Sequence, residues 1–236
     1  MGNGKKWIDW NKPETIVSKL ATEMRIPEEY FKLSKPGVFK FNDGTTQGWK
    51  IDQFYDSNDP NMTNIPPYTD PNTNKFYGFS LSNSQNLALA VEAYPLIMPG
   101  SKATLLDFYL DSPDLLFNQD WKNIKGYSLD LQRNFFSQCG EPSVYSVQLQ
   151  VQVWDKEQKK MKTFGEWDDI AKKHVFHTIK AFQPYHFIWT PKQFANPDLE
   201  LRFLRIRFTL PNLTTPGGGE CLPKGPWLVG NISPEA

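Results

Sequence analysis

Three glutamines and a tryptophan alternate with apolar residues in the segment 145–154, at Gln148, Gln150, Gln152 and Trp154. In a β-strand, the period of two places these four side chains on one face, with successive glutamines about 7 Å apart. A glutamine amide offers both a donor and an acceptor, which suits vicinal hydroxyl groups, and an indole ring can stack on a sugar ring. The pattern predicts a polar binding face; the alternative is the solvated face of an ordinary amphipathic sheet.

Two further predicted strands carry polar side chains that can extend this face. In the segment 104–110 apolar and polar residues alternate, and in 199–210 arginines alternate with apolar residues. If these strands neighbour the glutamine strand, their outward side chains share its surface. The predicted binding set, called the sheet-face residues below, is Asp107, Tyr109, Gln148, Gln150, Gln152, Trp154, Arg202 and Arg205.

A second candidate surface is the rim formed by the long polar stretch 56–74. Its Asp-Pro and Pro-Pro steps do not fit regular strands, and a loop of this length is often functional. Trp49, in contrast, is expected in the core. The aromatic side chains assigned to the rim are Tyr55, Tyr68, Tyr77 and Trp121.

Catalysis finds little support in the sequence, and an enzyme is not the favoured class. His174 and His177 are three residues apart in a predicted strand, so they point to opposite faces and do not chelate one ion. No Gly-x-Ser-x-Gly nucleophile motif occurs. The acidic residues at 166, 168 and 169 surround Trp167, and a glycosidase needs two carboxyl groups across a cleft. An exposed turn is the simpler interpretation of this cluster.

Composition excludes several classes of protein. The 236 residues include 26 lysines and arginines and 26 aspartates and glutamates, for a formal net charge of zero. A general nucleic-acid-binding protein would carry a basic excess. No apolar run approaches the length of a membrane helix, and residues 1–6 lack the apolar stretch of a secretory signal. The length allows a substantial core without disulfides.

The two cysteines leave two possibilities open. Cys139 and Cys221 can pair in an oxidising compartment or remain as two thiols. Neither lies in a Cys-x-x-Cys motif, so a zinc site is not expected.

Short predicted strands separated by turn signals dominate the chain after residue 37. They favour an all-β fold, a two-sheet antiparallel sandwich. Within 199–210 the apolar parity changes at Phe203-Leu204, which predicts a β-bulge. Residues 1–36 are predicted to form an arm and a short helical cap, because apolar residues at 16, 17, 20 and 24 share one helical face. The expected organisation is therefore 1–36 as arm and cap and 37–236 as one sandwich domain.

The segment 39–49 predicts a hairpin that opens the β region. Phe39 and Phe41 alternate with a lysine, Asp43-Gly44 supplies a reversal, and a second strand opens at Trp49.

This opening segment resembles the first strand pair of jelly-roll carbohydrate-binding modules and of the wider galactose-binding-like sandwiches. Those domains often begin with an aromatic-x-aromatic strand, an acidic residue and Gly, a Thr or Ser, and then Gly-Trp. The segment 108–115 followed by Trp121 resembles their middle strands, and 226–232 resembles the closing strand that pairs beside the first. The resemblance covers residues 37–236 and implies a jelly-roll fold.

The same resemblance implies where a structural calcium would lie. Such modules often hold the ion between the opening loop and an aspartate of the closing strand, and calcium prefers carboxylate and carbonyl oxygens. This chain offers Asn42 and Asp43 in the loop but Gly230-Asn231 in the closing strand. The sequence therefore predicts no cofactor beyond a weak calcium site at Asn42 and Asp43.

Fold resemblance and the sheet-face residues together predict non-catalytic, lectin-like carbohydrate binding, on a sheet face or on a loop rim. The expected partner is a carbohydrate, with neither nucleic acid nor a membrane span, and an extracellular location would follow from such a ligand. Two alternatives remain. One is a structural or protein-interaction domain of a larger assembly, and the other is a sugar-acting enzyme on the same fold.

Overall fold

A computed structural model describes most of the β region. The described residues are 38–56, 64–65, 68–69, 76–85, 87–94, 105–115, 124–135, 145–211 and 226–235. The predicted arm and helical cap, both cysteines and Trp121 lie outside these residues, and the predicted domain boundary near residue 37 stays a prediction. No helix in the described part of the chain is long and apolar enough to cross a membrane.

Within the described residues, seven antiparallel strands form the first sheet. Strands of both sheets are numbered along the chain, and those of the first sheet are β1 Lys50–Asp56, β2 Asn64–Ile65, β6 Leu105–Asp111, β8 Ser146–Asp155, β9 Lys160–Gly165, β12 His177–Thr178 and β14 Leu199–Pro211. Their spatial order is β12–β8–β14–β6–β1–β2, and β9 also pairs with β8.

The second sheet has six antiparallel strands in the part of the chain that the structure describes. They are β3 Tyr68–Thr69, β4 Phe76–Ser84, β5 Ala88–Tyr94, β7 Gly126–Arg133, β13 Pro184–Trp189 and β15 Trp227–Glu235. Their spatial order is β13–β7–β15–β5–β4–β3. From β5 to β8 the chain alternates between the two sheets, and it does so again from β13 to β15, which is the connectivity of a jelly roll. The predicted two-sheet antiparallel sandwich is confirmed.

The core lies between the two sheets and follows the predicted alternation. One face of β8 is buried throughout, as predicted. In β14 the bulge lies between Leu201 and Phe203, close to the predicted position, and it turns both halves of the strand inward. Trp227 of β15 stands at the centre, with its ring centroid 5.1 Å from that of Phe208 in the opposite sheet.

The opening segment differs from the predicted hairpin. Phe39 pairs with Ile232 of β15, with backbone hydrogen bonds of 2.8 and 3.1 Å in the two directions. After the turns at 42–48, β1 pairs with β6 and β2 instead of folding back on Phe39. The hairpin prediction was therefore wrong, because the two short segments join different sheets. The predicted meeting of the opening and closing strands is confirmed, and Trp49 is buried as expected.

Candidate functional site

The sheet-face residues lie on neighbouring strands, as predicted. β14 pairs with β8 on one side and with β6 on the other. Gln150 lies opposite Arg205, and the Gln148 row continues through Arg207 to Tyr109. The structure therefore brings the predicted glutamines, arginines and β6 residues to one face of the first sheet.

Half of that face is buried, which differs from the exposed platform that the alternation predicts. Gln148 and Gln150 are 2% and 7% exposed, and Asp107 is fully buried. The Gln148 amide lies against Gly165 of the adjacent strand β9, where an added Cβ would be 2.5 Å away, and it accepts Gln150 Nε2 at 2.8 Å. Among the described residues, Asp107 Oδ1 and Gln150 Oε1 have no hydrogen-bond partner. The assignment of these residues to ligand binding stays a prediction.

The arginines of this face are engaged by carboxylates. Arg205 Nε and Nη2 donate to the two oxygens of Asp111 at 2.6 and 2.7 Å, and its guanidinium lies 4.5 Å from the centroid of Tyr109. Arg202 pairs with Asp114 in the same forked manner. A bidentate pair of this kind fixes the geometry of both side chains. These arginines therefore hold β14 in register with the segment around β6.

The other end of the face is more open. Gln152 and Trp154 are half-buried, and Gln152 Nε2 donates to Thr163 Oγ1 at 3.3 Å. Thr163 belongs to β9, the strand that borders β8 on the side away from β14. The accessible part of the predicted face therefore leads to the edge of the sandwich.

A hairpin is inserted at this edge. β9 ends at Gly165, Glu166 N–H donates to Leu149 of β8 at 2.9 Å, and the chain then leaves the sheet. Two short strands, β10 Trp167–Asp168 and β11 Lys173–His174, form the hairpin before β12 rejoins β8. The interruption carries the Trp167 side chain out of the sheet and over the edge of the sandwich.

A cleft of about 450 Å³ lies between this hairpin and the end of β13. One wall is β9 with the β10–β11 hairpin, and the other is the end of β13 with the 3-10 turn Lys192–Ala195. We call it the edge cleft. It is lined by Thr163, Phe164, Gly165, Glu166, Trp167, Asp169, His174, Trp189, Thr190, Pro191, Lys192 and Gln193.

Two tryptophans line the edge cleft, one from each wall. Trp167 is 46% exposed, and His174 packs edge-on against it with ring centroids 4.9 Å apart. Trp189 is half-buried and packs at 67° against Tyr127, with centroids 5.9 Å apart. Both rings are thus held by a second ring, while the cleft still reaches them.

Glu166 supplies a carboxylate that is held in place. Its Oε2 lies 2.7 Å from Nε2 of His177, whose ring centroid is 4.6 Å from that of Phe187. Burial raises the pKa of the Tyr127 phenol well above its ordinary value, and the negative charge of Glu166 raises it further. Because His177 holds Oε2 of Glu166, this carboxylate is a hydrogen-bond acceptor of fixed position at the inner end of the cleft.

An ion pair joins the two walls. Asp169 of the hairpin pairs with Lys192 of the 3-10 turn. The neighbouring Asp168 serves the hairpin turn instead, because its Oδ1 accepts the N–H groups of Ile170 and Ala171 at 2.8 and 2.9 Å. Those backbone hydrogen bonds, that from Ala171 first, lower the pKa of Asp168. Of the acidic cluster seen in the sequence, Glu166 and Asp169 line the cleft.

Sequence reasoning noted Trp167 and its acidic neighbours but treated them as an exposed turn. The missing information was the long-range contact with the end of β13, which no local pattern encodes. His174 and His177 lie in different strands rather than in one, so the reason given for excluding joint chelation was wrong. The described residues contain no group of three His, Cys, Asp or Glu side chains that could hold a metal ion.

The rim aromatics are distributed over both sheets. Tyr68 of β3 and Tyr77 of β4 are cross-strand partners in the second sheet, whereas Tyr55 belongs to β1 in the first. A binding role for this rim stays a prediction.

The opening loop does not present the donor set that calcium prefers. Asp43 Oδ1 accepts the N–H and the hydroxyl of Thr45, both at 2.9 Å. Partial burial opposes ionisation of Asp43, yet these hydrogen bonds lower its pKa. The carbonyls of Phe41 and Thr45 both accept Asn83 Nδ2 at 2.7 Å. These two carbonyls and one oxygen of Asp43 are therefore already engaged by protein donors, so Asn42 and Asp43 do not fit the ion well.

Removal of the Asn83 amide should destabilise the domain, whereas addition of a calcium chelator should not. We expect Asn83→Ala to lower the free energy of unfolding by about 1–3 kcal/mol, because two carbonyls lose their donor. EDTA should leave the melting temperature of the unaltered chain unchanged. Urea unfolding measures the free energy and differential scanning fluorimetry the melting temperature, with the exposed neighbour Ser82 replaced by alanine as control. A melting temperature that falls with EDTA and recovers with calcium would show a metal in this loop.

Comparison with known proteins finds likeness only among solved structures. No protein-family model matches the chain, and no curated protein matches it. One matching structure addresses the promiscuous specificity of carbohydrate-binding modules from the beta-sandwich superfamily, at 11% identity and a TM-score of 0.44. Another contains the CBM22-1-GH10 modules of endo-1,4-beta-D-xylanase 10B of Clostridium thermocellum, complexed with xylohexaose, at 10% identity and a TM-score of 0.38.

A third matching structure is a non-crystalline cellulose specific carbohydrate-binding module, at 14% identity and a TM-score of 0.39. Each match covers 84% of this chain, and the matches cover 61%, 28% and 92% of the three solved chains in the order given. The chain thus spans less than two thirds of the length of the first two solved chains. At this identity and these TM-scores, the similarities do not indicate which ligand the chain binds.

Proposed function

We propose that this chain binds carbohydrate without catalysing a reaction, and that the glycan lies in the edge cleft. The observation that carries the proposal is the accessible Trp167 ring in a cleft that also holds Trp189 and hydrogen-bonding side chains. An accessible indole offers a flat apolar surface with a polar N–H, and tryptophan is enriched among residues that dominate binding energy.

The chemistry of the cleft suits a sugar. A pyranose ring has an apolar C–H face that can lie on an indole and a rim of hydroxyl groups that need donors and acceptors. Glu166 provides an acceptor, Gln193 provides both functions, and the hydroxyls of Thr163 and Thr190 adapt to either. Binding sites for small molecules commonly combine such aromatic surface with a few placed polar groups.

The carboxylates are poorly arranged for hydrolysis, which favours binding over the enzyme alternative. Glu166 is engaged by His177, and Asp169 is engaged by Lys192 at the exposed mouth. A general acid in a glycosidase needs a raised pKa, usually from an apolar site without a basic partner. The side chains of this cleft therefore support recognition of a glycan.

The test compares Trp167→Ala with Ile170→Ala. Both residues lie in the same hairpin, but Ile170 is 95% exposed and does not line the cleft. Affinity electrophoresis over soluble polysaccharides, followed by isothermal titration calorimetry with the best oligosaccharide, should show binding by the unaltered chain. We expect Trp167→Ala to weaken that binding by about tenfold or more, and Ile170→Ala to leave it unchanged.

Two results would contradict the proposal. Failure of the unaltered chain to bind any polysaccharide in a broad panel would remove the function itself. Equal affinities of the two variants and the unaltered chain would remove the edge cleft as its location.

A further inference from the structure

From its charge arrangement we infer that the edge cleft selects uncharged sugars, and that Asp169 and Lys192 set this selectivity. The inference rests on the proposed function and concerns the class of glycan. Asp169 is paired with the Lys192 ammonium and Glu166 is hydrogen-bonded to His177, so each of these two carboxylates in the lining already has a partner.

The pair at the mouth is formed between two separate walls. Asp169 comes from the β10–β11 hairpin and Lys192 from the 3-10 turn after β13, 23 residues along the chain. The Lys192 and Asp169 side chains are 78% and 53% exposed. An ion pair this exposed contributes little to folding stability. Its two members can therefore be changed one at a time without unfolding the domain.

The second carboxylate also has a hydrogen-bond partner already. The Glu166 and His177 side chains are 18% and 28% exposed, and their atoms Oε2 and Nε2 lie 2.7 Å apart. His174, the remaining basic group in the lining, packs against Trp167. A hydroxyl group can share these polar atoms, whereas a carboxylate or an ammonium group would compete with an existing pair.

A charged sugar would therefore lose more than it gains. An anionic sugar would meet the carboxylates of Asp169 and Glu166, and a cationic one would have to displace Lys192 from Asp169 to gain a partner there. Opposed charges of this kind are a general means of rejecting the wrong ligand. Uncharged sugars face no such cost, because their hydroxyls add hydrogen bonds without breaking an ion pair.

Single substitutions should convert the selectivity in opposite directions. Lys192→Gln leaves the Asp169 carboxylate without its partner, and Asp169→Asn leaves the Lys192 ammonium without its own. The controls are Lys172→Gln and Asp198→Asn, two exposed charge changes of the same signs outside the lining. The probes are xylohexaose and cellohexaose as uncharged ligands, an oligogalacturonate as anion and a chitosan oligosaccharide as cation, each titrated at low ionic strength.

We expect the unaltered chain to prefer an uncharged probe over both charged ones. Lys192→Gln should bind the chitosan oligosaccharide about fivefold more tightly than the unaltered chain does, and Asp169→Asn should gain about as much for oligogalacturonate. Both gains should disappear in high salt, and neither control should show them.

Three results would overturn the inference. Tighter binding of a charged probe than of any uncharged probe by the unaltered chain would do so, with carbohydrate binding itself intact. Variants with unchanged preferences would remove the role of Asp169 and Lys192. If no probe and no polysaccharide binds, the proposed function fails and the inference fails with it.

Discussion

Replacement of Trp227 by alanine is expected to lower the free energy of unfolding by about 4 kcal/mol. The indole is 1% exposed and stands between the two sheets. Its centroid lies 5.7 Å from that of Phe135, 6.4 Å from that of Tyr145 and 5.1 Å from that of Phe208, all in edge-on geometry. Removing it leaves a cavity lined by rings that cannot all move inward, since each packs on other core residues. Urea unfolding followed by circular dichroism measures the loss.

The neighbouring residue provides the control. Leu228 points to the opposite face of β15 and is half-buried, so Leu228→Ala should cost less than about 2 kcal/mol. Equal losses for the two variants would mean that Trp227 does not occupy the centre of the core.

Replacement of Arg205 by leucine is expected to lower the free energy of unfolding by about 3 kcal/mol. The side chains of Arg205 and Asp111 are 13% and 18% exposed and share two hydrogen bonds. Without Arg205, the Asp111 carboxylate remains in a mostly buried place with fewer donors. The contact between the guanidinium group and the face of Tyr109 is lost as well. Chemical unfolding of the single variant measures the effect.

A double variant separates the ion pair from general packing. Arg205→Leu combined with Asp111→Leu should recover most of the lost stability, because both charges leave together. Glycan affinity should stay unchanged in the folded variants if Arg205 is structural. A large loss of affinity with intact stability would instead assign Arg205 to ligand binding, as the sequence predicted.

Much of the sandwich follows from local patterns in the sequence. The alternation in β8 predicts both its length and its inward face, because with a period of two all the apolar side chains lie on one face and only that face can be buried. The change of parity in β14 predicts a bulge for the same reason. The opening segment shows the limit of such patterns. Phe39 and Phe41 carry the signature of a strand, but only tertiary structure decides that this strand pairs with β15.

The candidate site was harder to predict, because it depends on contacts distant in sequence. Polarity marks Gln148 and Gln150 as outward-facing, but it cannot show that their amides bond to each other and that Gln148 lies against Gly165 of the neighbouring strand β9. The signal of the edge cleft in the sequence was Trp167 among acidic residues, a cluster that also fits an exposed turn. Its second wall comes from Trp189 and Lys192, whose approach to Trp167 is set by the packing of β13 on β7. One of the sheet-face residues nevertheless reaches the cleft, because Gln152 donates a hydrogen bond to Thr163 in its lining.

The location of the glycan is tested most directly by the indole N–H signals in a nitrogen–proton correlation spectrum. The chain is titrated with the oligosaccharide that it binds best, and signals are assigned by single Trp→Phe replacements. We expect the signals of Trp167 and Trp189 to shift with saturation, while those of the buried Trp49 and Trp227 stay in place. A shift confined to Trp154, with Trp167 and Trp189 unaffected at saturation, would place the ligand on the sheet face and contradict the account.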